Sequence, residues 1–243
     1  MYEQASLIRG KPAPLRKRSH LLSFVKVFQL IKNYWKIFFV TGVSYTIALA
    51  AITVFFGAII GLIICVCRMS KFKVLKGICA AIVDVIRGTP MLLQIYVGYF
   101  LVPKLLPFEV SEFIAVSIAF AINSGCYLSE AFRSGIQAVD IGQMDAARSL
   151  GLTYGQSMKS VILPQALKNI LPALGNEFIT IIKDTSLAST FFIGDVMTSF
   201  LVVRGLTYLT FECLFILAVI YYVLTKILTF FLGKFERRLK ESD

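Results

Sequence analysis

Few side chains here are suited to chemistry, and the most informative stand inside long apolar stretches. Arg87, Glu177, Lys183 and Asp184 are each flanked by runs of Leu, Ile, Val and Phe. A charge in hydrocarbon is costly, so such residues mark either a solute pathway or an internal ion pair. Gln94, Asn123 and Thr185 add neutral hydrogen-bonding groups in the same stretches. Glu130 and Arg133 stand at the end of another apolar run and read as a brace for the polar loop that follows. Other chemistries lack their parts. The single histidine, His20, lies in a polar N-terminal segment, so neither a Ser/His/Asp constellation nor a metal site has its ligands. Cys65, Cys67, Cys79, Cys126 and Cys213 fall in or beside apolar segments without zinc or secreted-disulfide spacing, and read as small hydrophobes.

The elements that must position these residues are membrane helices. Hydrophobic residues make up 57% of the 243, and charged residues 16%; a soluble domain is nearer about a quarter charged. Residues 37–67 carry no charge at all. As a helix that run is roughly 46 Å long, more than a ~30 Å hydrocarbon core requires. The net charge of +11 does not indicate nucleic acid. Its basic residues cluster in 1–36, 68–76 and 234–240, beside apolar segments, where they act as topology signals and contacts to anionic membrane lipid. The first apolar stretch starts too late and is too long for a signal peptide.

Residues 1–36 read as a basic tail, its last part (21–36) an amphipathic helix in the membrane interface, with Leu21, Phe24, Val25, Phe28 and Ile31 at helical spacing. Five spans follow, at about 38–67, 74–103, 112–135, 165–188 and 206–232. Gly57 and Gly61 place a small-xxx-small patch on the first. The second is interrupted by DVIRGTP at 84–90, where Gly88 and Pro90 break or kink the backbone. There is no internal repeat. The basic residues of 68–76, 134–168 and the tail from 234 make those segments cytoplasmic and, with five spans, the N-terminus external; the eight basic residues of 1–36 point the other way.

The polar segment between the third and fourth spans, about 139–163, is long and yet reads as structured. Asp140 caps a short helix over 141–149, and Gly151 follows it where a left-handed residue is favoured. Thr153 and Gln156 form a capping box for a second short helix ending before Pro164. Ala146, Ala147 and Leu150 give the first helix a small, smooth face. Two short helices joined at a glycine suggest a docking surface for another protein.

The stretch MDAARSLGLTYGQSMKSVILPQALKNILPALGNEFITIIKDTSLAS, 144–189, resembles the cytoplasmic coupling motif and following helix of ABC-importer permease subunits. Asp145, Ala146, Ala147, Gly151, Ile162, Leu163 and Pro164 match that pattern, with Asp145 in place of Glu. IRGTP at 86–90 and KDTSLAS at 183–189 resemble the branch that imports polar amino acids. The likeness covers about 38–236. It implies an all-α integral membrane protein with the type I ABC importer transmembrane fold, five spanning helices and a cytoplasmic coupling-helix loop. The transmembrane domain would be 37–233 and the cytoplasmic tail 234–243. It further implies a second permease subunit, the same or a sister chain, cytoplasmic ABC ATPase subunits docked on 140–163, an extracytoplasmic solute-binding protein, and a polar amino acid as substrate. Tyr154 would meet the ATPase surface. ATP and Mg would bind the partner ATPase, since this chain has no G-x-x-x-x-G-K-[ST] loop.

An amino-acid zwitterion needs a cation for its carboxylate and an anion for its ammonium. Arg87 or Lys183 could serve the first and Asp184 or Glu177 the second, with Asn123, Gln94 and Thr185 as neutral partners. Counted along straight helices, Arg87 and Glu177 lie roughly 18–20 Å deep, near mid-membrane, and Glu130 near the inner surface. Lys183 and Asp184 are about 100° apart on a helix, so one of them is structural. The competing reading pairs these charges with one another to brace the kinked second span. The alternative function is an ion- or proton-coupled secondary transporter using Glu130, Glu177 and Asp184 as relay groups; the inverted repeats usual in such folds are not found.

Overall fold

A computed structural model describes residues 23–240, all of whose regular elements are helical. The basic tail 1–20 lies outside the described residues. Helix α1, Phe24–Trp35, passes through a wide π-turn, Lys36–Gly42, into α2, Val43–Met69. Then come α3, Lys73–Gly88, α4, Met91–Leu105, and α5, Glu112–Gln137. Two short helices, α6 (Ile141–Ser149) and α7 (Tyr154–Ser157), precede α8, Leu163–Asp184. A 3-10 segment, Thr185–Phe191, leads to α9, Val196–Thr207, and finally α10, Thr210–Lys240. Among the described residues three helical stretches are long and apolar enough to cross a membrane, and five if each bent pair counts as one span.

Several boundaries differ from the sequence expectation, each for a physical reason. The described part of the 21–36 segment is not separate from the first span, because Phe24–Met69 is one helical run of 46 residues. It bends at Tyr34 (φ −120°, ψ 15°). Apolar residues of α1 lie on more than one side, between Lys26, Gln29, Lys32 and Asn33, and those turned to the protein are Val27 and Leu30, in one cluster with Val203, Ile216 and Ile220. Phe24, Val25 and Phe28 point outward instead, 69–70% exposed. The second span is broken more sharply than a kink: α3 and α4 meet at 110°. Gly88 ends α3, and Pro90, which cannot donate to a continuing ladder, precedes α4. The helix begun at α7 does not stop before Pro164. It runs through a π-turn, Met158–Ile162, where Leu163 N–H already bonds the Met158 carbonyl five residues back, so the N–H that proline lacks falls where the ladder changes register. The last span starts at Thr210, after Tyr208 turns left-handed (φ 56°), and carries on as helix through the expected tail to Lys240.

The bundle is organised around α2 and α5. Ideal Cβ atoms on Gly57 and Gly61 would lie 3.0 Å from Ser124 Cβ and 2.9 Å from the Gly125 carbonyl oxygen. Only glycine lets these backbones approach so closely, which is how helices gain contact where hydrocarbon offers no hydrophobic drive. Helix α8 packs on the same α5 through Ala166 and Ile170 against Leu128 and Phe132. At the other end Asp195, fully buried, caps α9 by accepting from Met197 N–H (2.9 Å) and Thr198 N–H (3.2 Å). Val196 N–H donates to Thr46 Oγ1 (3.1 Å), and the Ser199 hydroxyl to the Ile37 carbonyl (2.9 Å), which ties α9 to the top of α2.

Candidate functional site

The α6–α7 corner forms as its sequence predicts. Asp140 Oδ1 accepts from Gly142 N–H at 2.6 Å. Beyond α6, Gly151 N–H bonds the Arg148 carbonyl (3.0 Å) and Leu152 N–H bonds the Ala147 carbonyl (3.2 Å). That bond pair is a Schellman motif, and it needs the left-handed backbone that Gly151 supplies at φ +85°. The Thr153–Gln156 capping box closes the start of α7, with Thr153 N–H on Gln156 Oε1 at 2.8 Å. Ala147 is buried against the π-turn, while Asp145 and Ala146 face outward. Ile141 (79% exposed), Leu150 (84%) and Tyr154 (58%) leave an apolar patch on this corner. Pro164 sits exposed in the first turn of α8, outside the patch-forming helices.

The polar residues expected inside the membrane separate into three groups. Gln94 and Asn123 are brought together, but at the α3–α4 break. Gln94 Nε2 donates to the Ile86 carbonyl (2.6 Å), the Thr89 carbonyl (3.1 Å) and Thr89 Oγ1 (2.9 Å), and its Oε1 accepts from Asn123 Nδ2 (2.8 Å). Gln94 therefore caps the open end of α3 and anchors the bend to α5. Thr185 is likewise committed locally: it is fully buried and its hydroxyl donates to the Ile182 carbonyl at 2.8 Å.

Arg87 belongs to a second group, and its depth is a correction. The expected depth treats α3 as upright; α3 meets α4 at 110°, so the two cannot share one span axis, and Arg87 stands beside Glu130 at the end of α5 that leads into α6. Three arginines converge on that carboxylate. Arg68, from the last turn of α2, binds Glu130 Oε1, and Arg133 clasps Oε2 through Nε (3.0 Å) and Nη2 (2.7 Å). Arg87 Nη1 lies 3.7 Å from Oε1, and its guanidinium covers the Tyr127 ring at 5.1 Å. In the sequence Arg68 reads only as a topology signal; the feature that points to this site is its place in the last turn of α2, one residue before the helix ends.

The third group is Glu177 and Asp184 on α8. Seven residues apart, they share one helix face about 10.5 Å apart along the axis. Glu177 Oε1 accepts from the Ser124 hydroxyl at 2.8 Å. Among the described residues neither carboxylate has a cation within ion-pair distance. Lys183 is exposed on another side of the helix, as the 100° offset requires. The structure thus keeps Arg87 with Glu130 and, among the described residues, leaves Glu177 and Asp184 without a cation partner.

Comparison with known proteins gives one answer. Residues 53–241 match the family of binding-protein-dependent transport system inner membrane components. The arginine transport system permease protein ArtQ of Bacillus subtilis is 40% identical over 206 residues, covering 85% of this chain and 94% of the relative. The L-cystine transport system permease protein TcyB of the same organism is 39% identical over 166 residues, 68% of this chain and 69% of its own length. A crystal structure of an amino acid ABC transporter with histidines superposes with a TM-score of 0.81 at 40% identity, covering 87% of this chain and 98% of that one. The α6–α7 corner, the bundle around α5 and these similarities agree: this chain belongs to the binding-protein-dependent transport family and is a multi-pass membrane permease of the amino-acid ABC importer type.

Proposed function

We propose that the chain pairs with a second permease subunit and moves a polar amino acid inward by alternating access. A separate ATPase docks on α6 and α7, and an extracytoplasmic solute-binding protein delivers the substrate. The observation that carries this reading is the corner itself. An exposed apolar patch on Ile141, Leu150 and Tyr154 is held in fixed shape by a Schellman motif and a capping box, and its backbone continues without a break into α8. Movement imposed on α6–α7 is thereby delivered to the helix that carries Glu177 and Asp184.

Those two carboxylates support a cationic amino acid as the substrate. Buried or half-buried anions without a resident cation are costly, and a guanidinium or ammonium arriving between them would supply the missing charge. ArtQ, an arginine permease by name, is among the similar proteins. The test is co-expression with candidate ATPases and measurement of ATP hydrolysis by the purified complex against a panel of amino acids. Stimulation by arginine or lysine that Glu177→Gln weakens supports the reading. A chain that associates with no ATPase contradicts it.

A further inference from the structure

A polar cavity of about 640 Å³ lies between the ends of α2, α3 and α5, on the side of the bundle that bears α6 and α7. Arg68, Asp84, Arg87 and Glu130 line it, with small residues of α3 making room. Glu130 is already paired at both oxygens, by Arg68 at one and Arg133 at the other. Arg87 is the third and loosest cation, at 3.7 Å from Oε1, with its side chain 43% exposed. A guanidinium has five N–H donors, and among the described residues Arg87 makes no hydrogen bond with any of them. Asp84 stands one turn before it on α3, exposed on the same cavity wall and in no ion pair with Arg87.

We propose that this cavity recognises the zwitterionic head of the transported amino acid on the coupling-loop side of the membrane. Arg87 takes the α-carboxylate and Asp84 the α-ammonium, while Glu130 holds Arg87 in reserve when the site is empty. Residues three apart on a helix stand about 5–6 Å apart at Cβ, close enough to take the two ends of a head whose charges flank one carbon. On the cavity lining Arg68 and Arg87 balance Asp84 and Glu130, and Arg133, outside the lining, also holds Glu130, so Glu130 stays paired when Arg87 leaves it. Arg87 can therefore exchange one carboxylate for another without uncovering a bare charge. The site lies one turn before Arg133 and the exit to α6, so occupancy reaches the segment that contacts the ATPase. This inference rests on the importer reading. A phospholipid head with a phosphate and an amine has the same zwitterionic chemistry, and the test separates the two sources.

The complex with its ATPase is placed in nanodiscs of phosphatidylglycerol, with or without phosphatidylethanolamine, and binding of labelled L-arginine and L-argininamide is measured without ATP. Wild type should prefer the free acid in both lipids. Arg87→Gln should weaken arginine by about tenfold or more and erase its preference over the amide, one charge-assisted contact being lost. Arg87→Lys should fall between them, and Glu130→Gln should raise the preference. Unchanged melting temperatures keep misfolding from mimicking the result. An Arg87→Gln complex with the wild-type acid-over-amide ratio overturns the site. So does one whose only change is lost phosphatidylethanolamine, which makes the occupant a lipid. A wild-type complex whose ATP hydrolysis ignores arginine overturns the importer reading as well, whereas normal stimulation with an indifferent Arg87 sinks the site alone.

Discussion

Gly151 is where backbone geometry and function can be separated. Its φ of +85° is required by the Schellman bonds from Gly151 N–H to Arg148 and from Leu152 N–H to Ala147. An added Cβ would meet nothing within 4 Å, so the cost of a side chain there is conformational alone. For alanine in the left-handed region that cost is about 1–2 kcal/mol. If it falls on the docked shape of the corner, the ATPase binds ~5–30-fold more weakly. Asparagine is larger than alanine but tolerates this region, so it should do less harm. Proline fixes φ near −65° and removes the N–H that bonds Arg148, so it should unwind the last turn of α6 and abolish coupling. The expected order is Gly, Asn, Ala, Pro, from most to least active. The assay is ATPase co-purification together with substrate-stimulated hydrolysis, in variants that still insert in the membrane. Asparagine worse than alanine would mean that bulk, not backbone, governs the corner; normal uptake by Gly151→Pro would refute the docking assignment.

Three further outcomes follow from the packing and the polar contacts. Gly61→Val should destabilise the α2–α5 crossing by ~1–3 kcal/mol or more, since its Cβ would meet the Gly125 carbonyl oxygen at 2.9 Å, whereas Gly77→Ala, with nothing within 4 Å, should leave the melting temperature of the purified protein unchanged. Gln94→Leu should leave Asn123 and the end of α3 unpaired, at about 1–3 kcal/mol, seen as earlier thermal unfolding and slower transport. Leu150→Glu should leave folding intact and reduce ATPase association by about tenfold, measured by titration of the detergent-purified partners.

What was legible in the sequence was local. Asp140, Gly151 and the Thr153–Gln156 box act within a few residues of themselves, so type and spacing suffice to place α6 and α7. The Gly57 and Gly61 patch was legible because small residues four apart have one main use in a membrane helix. What was missed depends on long-range geometry. Arg87 was set at mid-membrane by a rise counted along α3 as if that helix stood upright; α3 meets α4 at 110°, so the two cannot share one span axis, and Arg87 lies beside Glu130. Gln94 read as a ligand for solute because nothing in its neighbourhood shows that the Ile86 carbonyl would be left open eight residues earlier. Val27 and Leu30, rather than Phe24 and Phe28, face the bundle because the apolar residues of α1 spread over more than one side, and only the partner decides which of them are inside. The Glu177–Ser124 contact joins helices 53 residues apart, a separation over which a single sequence carries no register.

The central claim is that ATP, used by a docked partner, drives amino-acid import through this chain. The measurement that tests it most directly is uptake of labelled arginine into proteoliposomes holding the chain with its ATPase and binding protein, with ATP inside or absent and with a protonophore present or absent. Accumulation that requires ATP, survives the protonophore and is lost in Gly151→Pro is the predicted result. Uptake that persists without ATP and collapses with the proton gradient would contradict the account and assign Glu130, Glu177 and Asp184 to a proton relay.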